Sequence, residues 1–131
     1  MTRAQALRLI EKAFSALHAA NIQRPGEFGS IDDKLLSLCV DGERKYRKWA
    51  GPRPGLSVRN AAKLFAVRFL AEALEKPGRY TLRHILEIRH EALYAQAYAE
   101  LFGAEIRAAW DAAGVTVADL LALDYAELVK G

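Results

Sequence analysis

LRHILEIRHEALYAQAYAELFGAEIRAAWDAA, residues 82–113, runs for 32 positions without a proline. Apolar residues recur along it in two seams at helical spacing, Leu86, Leu93, Ala97 and Leu101 on one and Ala95, Phe102, Ile106 and Trp110 on the other. Such a pattern predicts one long α-helix whose weak point is Gly103. A helix that is apolar on more than one side belongs in the middle of a bundle, so the stretch predicts an all-α fold with itself at the centre.

Turn and cap residues divide the rest of the chain around it. Pro77-Gly78 precedes the stretch and Thr81 is its natural N-cap, while Gly114 suits the position after the last turn. Thr116, with Asp119 three residues later, opens a final helix over 117–129. On the N-terminal side Ser57 caps a helix over 58–76, whose apolar face runs through Ala62, Phe65, Phe69 and Ala73. Arg59 and Lys63 share one outer face of that helix, and Arg68, Glu72 and Lys76 alternate in charge along another. Further upstream Ile31, Leu35, Leu38, Gly42, Tyr46 and Trp49 continue a single stripe. Ser30 and Asp33 open a helix that this stripe carries to Trp49; a break at Asp41-Gly42 competes, since an interior glycine costs about 1 kcal/mol. Residues 21–29, with Pro25, Gly26 and Gly29, read as a loop. Thr2 and Gln5 make a capping box for a first helix that carries Leu7, Ile10, Phe14 and Leu17 and ends near Ala20. No segment alternates with period two. The expected fold is a single all-α bundle of about five helices with short loops, one domain over 1–131.

Bulk properties narrow the class. A chain of 131 residues that is 52% hydrophobic and 27% charged is long enough and mixed enough for one folded core. The single Cys39 excludes an internal disulfide, fits a reducing, cytoplasmic setting, and between Leu38 and Val40 reads as a small core residue. The opening MTRAQALRLIEKAF has no continuous apolar run, so neither a signal peptide nor a membrane span is expected.

Charge is concentrated. Glu43 to Arg68, ERKYRKWAGPRPGLSVRNAAKLFAVR, holds eight bases against one acid, a net +7 in a chain of formal net charge +3. The remainder is therefore acidic, most of all 91–131, where seven acids face Arg107 and Lys130. Within the basic stretch the bases fall at Arg44, Lys45, Arg47 and Lys48, at Arg53 inside a Gly-Pro-Arg-Pro-Gly corner, at Arg59 and Lys63 beyond it, and at Arg68. Such a surface suits nucleic-acid phosphates, or equally an acidic protein, or a solvated face with snorkelling stems. Trp49 at the end of the apolar stripe is either a cover for the core or a platform on which a base stacks. Tyr94 and Tyr98, one turn apart, read as a helix contact.

Catalytic and metal chemistry has thinner support. Glu87 and His90 have the E-x-x-H spacing of di-iron bundles, but those need the motif twice with two further carboxylates, and here it occurs once; no metal and no cofactor is expected. Arg83 and His90 resemble the R-x(4 to 6)-H signature of the HEPN helical ribonucleases, which implies His90 as general acid or base and Arg83 as charge stabiliser at a scissile phosphate. There is no Gly-rich phosphate loop and no nucleophile elbow.

Residues 46–74, YRKWAGPRPGLSVRNAAKLFAVRFLAEAL, resemble the small subunits of multi-subunit CRISPR effector complexes. An aromatic and basic helix, a Pro-Gly corner and a following helix recur there, matched by Pro54, Gly55, Asn60, Ala61, Ala62, Ala66 and Phe69, with Ala61 where glycine is commoner. The resemblance implies a non-enzymatic subunit of a ribonucleoprotein complex. Several copies would stack along larger protein subunits and contact RNA or single-stranded DNA backbone through Arg44, Lys45, Arg47, Lys48, Arg53, Arg59 and Lys63. The two other expectations that stand beside it are the HEPN-like ribonuclease and a protein-binding helical module, of phage or immunity type, with an acidic partner.

Overall fold

Short-range capping sets where the helices begin and end. The structure, a computed structural model, describes residues 1–24, 29–30, 44, 46–48, 55–75 and 91–129. Helix α1 is Arg3–Ala20: Thr2 Oγ1 accepts from the Gln5 amide at 3.2 Å, the Gln5 carboxamide accepts from the Thr2 amide at 2.8 Å, and Asn21 closes the helix in the left-handed region at φ 48°. After it comes a two-residue antiparallel pair, β1 (Gln23–Arg24) with β2 (Gly29–Ser30), where the sequence reads as plain loop. Helix α2 is Val58–Glu75, with Ser57 Oγ accepting from the Asn60 amide at 3.2 Å as expected.

Helix α3 is Glu91–Ala112 and runs unbroken through Gly103. Its end is a Schellman motif: the Val115 amide donates to the Trp110 carbonyl at 2.8 Å and the Gly114 amide to Asp111 at 3.0 Å, with Gly114 at φ +74°, a backbone state that glycine enters without a Cβ penalty. Two short helices follow, α4 (Val117–Leu121) and α5 (Tyr125–Val129), where the sequence predicts one helix over 117–129. The break is made by Asp124, whose carboxylate accepts from the Glu127 amide at 3.1 Å and starts a new helix. The buried Tyr125 hydroxyl then donates to the Leu120 carbonyl at 2.7 Å, satisfying an acceptor that the break sets free. Helical residues 44 and 46–48 complete the set, so the bundle has about six helices among the described residues instead of five.

The centre of the described bundle is α2 and not the long helix. α2 packs against α1, α3 and α4. From Ala61 to Ala73 only Glu72 on it is exposed, and Ala61, Ala66 and Ala71 are fully inaccessible. Alanine scores weakly in an apolar pattern, yet three such small side chains let neighbouring helices close on every side. The described part of α3 buries one stripe, Ala95, Tyr98, Phe102, Ile106 and Trp110, so Tyr98 is a packing residue. Of its other seam Leu101 is half-buried, Leu86 lies outside the described residues, and so do the side chains of Leu93 and Ala97.

The first turn of α1 and the end of α5 converge on Gly55, three residues before α2. The Gly55 amide donates to the Val129 carbonyl at 3.0 Å. The Arg3 guanidinium donates to the Gly55 carbonyl at 2.6 Å and to the Leu128 and Glu127 carbonyls at 2.9 and 3.2 Å, so it caps α5 and ties it to the start of α2. Replacing Arg3 by Ala is expected to lower unfolding stability by about 1–2 kcal/mol, the charge-assisted bonds being discounted for exposure. Urea denaturation measures it; an unchanged midpoint would show that α5 docks without the clamp.

Candidate nucleic-acid interface

The basic segment is held in place by the aromatic in its midst. Tyr46 is 2% exposed, and its hydroxyl donates to the Leu56 carbonyl and accepts from the Leu56 amide at 2.8 Å. One side chain thereby joins the helical residues 44 and 46–48 to the start of α2. Because Tyr46 faces inward, its neighbours face out: Arg44, Arg47 and Lys48 are exposed, as is Arg59 on the first turn of α2. Tyr46 is thus a staple and is closed to base stacking.

Lys63 has a different setting from the other bases. Its ammonium donates to both carboxylate oxygens of Glu11 on α1, at 2.7 and 2.9 Å, and lies 5.3 Å from the centre of the Phe14 ring. That hydrogen bond, helped by the charges of Lys63 and Arg59 and a bond from Ser15, holds the Glu11 carboxyl below its usual value against the opposing effect of burial. Glu11 is therefore ionised at neutral pH, and Lys63 reaches a phosphate only in exchange for it. Arg68 is a structural cation: it pairs with Glu72 at 2.9 Å and lies 5.2 Å above the ring of Tyr125, a phenol whose own ionisation burial suppresses.

Of the sequence-derived candidates, Lys45, Trp49 and Arg53 lie outside the described residues, as do Arg83, Glu87, His90, Cys39 and the competing Asp41-Gly42 break. Among the described residues no group of His, Cys, Asp and Glu is arranged to hold a metal ion, and no helix is long and apolar enough to cross a membrane. Two participants are absent from the sequence-derived set. Arg8 and Glu11 of α1 face Arg59, Asn60 and Lys63 of α2 across an open cleft. The contact joins residues 52 apart, and the only local sign was that Arg3, Arg8 and Lys12 outnumber Glu11 along α1.

Fold and exposure together define a small helical bundle with exposed bases at Arg44, Arg47, Lys48 and Arg59. No protein-family model, curated protein or solved structure matches the chain.

Proposed function

We propose that this chain is a non-enzymatic assembly subunit that contacts the backbone of RNA or single-stranded DNA through the face carrying Arg44, Arg47, Lys48 and Arg59, with Lys45, Arg53 and Lys63 as further members. The observation that carries the proposal is the Tyr46 staple, which holds an exposed run of bases rigidly beside the first turn of α2. Backbone already ordered in the free protein loses little entropy when phosphates arrive. The acids Glu100, Asp111, Asp119, Asp124 and Glu127 are exposed on α3 to α5, which suits copies of the chain stacking basic face to acidic face within a larger ribonucleoprotein complex.

The test is salt-dependent fluorescence anisotropy with a single-stranded oligonucleotide. Four phosphate contacts predict that log K falls against log salt with a slope of about −2.8, and R47E/K48E is expected to flatten it by about 1.4 and to weaken binding at least about tenfold. A slope and affinity unmoved by the double reversal would overturn the proposal. Shortening of the RNA during the titration, abolished by His90→Ala, would favour the ribonuclease instead.

A further inference from the structure

Between α1 and α2 lies the open cleft of about 480 Å³ lined by Leu7, Arg8, Ile10 and Glu11 on one side and Arg59, Asn60 and Lys63 on the other. Three cations and one carboxylate line it, an excess of two positive charges. The carboxylate is fully engaged: both oxygens of Glu11 accept from Lys63, and Oε1 also accepts from Ser15 at 3.3 Å. Among the described residues Arg8 and Arg59 donate no hydrogen bond to Glu11, and Arg59 acts on it through charge alone. Leu7 and Ile10 give the cleft an apolar wall beside its charges. Two arginines with no hydrogen bond to it, beside a lysine bound to this anionic fork, describe, among the described residues, an anion site whose occupant is supplied by the protein itself.

We infer that this cleft is a phosphodiester subsite for one nucleotide unit of a single strand, and that Glu11 is a built-in counterion which the incoming phosphate displaces from Lys63. The inference rests on the nucleic-acid reading above but uses residues, Arg8 and Glu11, that lie outside the face proposed there. A phosphate presents the same pair of anionic oxygens as the carboxylate, and Arg8 and Arg59 add donors that Glu11 does not use. The apolar wall fits a sugar or base edge, so a nucleotide is a better occupant than a free anion. Removal of the internal acid helps twice: neutralising Glu11 strengthens binding, because the incoming phosphate no longer competes with a tethered carboxylate and is no longer repelled by it.

The experiment compares the full-length chain with E11Q, R8E and R47E/K48E, by anisotropy with a labelled single-stranded RNA of about twelve nucleotides. E11Q is expected to tighten binding by about threefold or more and R8E to weaken it by about tenfold. If R47E/K48E weakens binding while E11Q and R8E leave it within about twofold, the cleft is no subsite and the wider face stands. If the wild-type chain binds no RNA, the wider face falls, and amide shifts on titration with inorganic phosphate decide the cleft by themselves. Shifts confined to Arg8, Glu11, Asn60 and Lys63 that grow in E11Q keep it as a phosphate site; their absence ends the proposal, as does displacement of RNA from R8E and wild type alike by an acidic peptide.

Discussion

Replacing Trp110 by alanine is expected to lower the stability of this protein by about 3–5 kcal/mol, much of the total that a domain of its size has. Trp110 heads the set of fully buried side chains, at 1% exposure, and sits where α1 meets α3. Its indole N–H donates to the Ala13 carbonyl of α1 at 3.0 Å. It is also the residue whose own carbonyl closes the Schellman motif with Val115, so backbone and side chain fix the end of α3 together. Truncation leaves a cavity that rigid helices fill only in part. Urea unfolding followed by far-UV circular dichroism reads the loss, and W110F, which keeps most of the volume but not the N–H, is expected to recover most of it. A W110A midpoint within about 1 kcal/mol of wild type would mean that the α1 to α3 contact lies outside the cooperative core.

The second large effect is expected from Tyr46→Phe. The change removes one oxygen atom, yet that oxygen serves two buried backbone groups of Leu56, itself 9% exposed. Leaving both unsatisfied costs about 2–4 kcal/mol, since each desolvated group counts in full once its partner is gone. The phenyl ring still packs, so the loss is due to the hydroxyl and not to volume. Function is expected to follow: with the staple cut, Arg44, Arg47 and Lys48 keep their charge but lose their fixed relation to Arg59. RNA affinity is then expected to fall by about tenfold at a temperature where the variant is still folded, with the salt slope nearly unchanged because no phosphate contact has been deleted. A variant that loses stability and binds RNA as wild type does would separate the staple from the interface.

Local structure was readable in the sequence at most helix ends where the deciding interaction spans three or four residues. Thr2 with Gln5, Ser57 with Asn60, Thr116 with Asp119, and Gly114 after the last turn all stand at helix ends. Arg68 with Glu72 is likewise an i, i+4 pair. The end of the chain was misread for an equally local reason: Asp124 caps a new helix, but no apolar interruption announces it, and the gain that favours the break is the Tyr125 to Leu120 bond together with burial of Tyr125. The basic site was legible as a concentration of charge. Its architecture was not, because Tyr46 looked like one more member of an apolar stripe and Lys63 like one more exposed base.

By itself, then, the amino-acid order determined the helical class, most helix ends among the described residues and the location of the excess positive charge, since periodicity, capping and net charge are sums over near neighbours. Only the tertiary structure decided which helix lies at the centre, because the burial of Ala61, Ala66 and Ala71 depends on what closes over them and not on their own weak hydrophobicity. It also decided that Arg3 clamps the two chain ends, that Tyr46 staples the basic segment to α2, and that Glu11 occupies Lys63. Arg3 and Glu11 reach partners at least fifty residues away, and Tyr46 reaches one ten residues on; no period or spacing in the chain encodes which donor will meet which acceptor once the helices have packed.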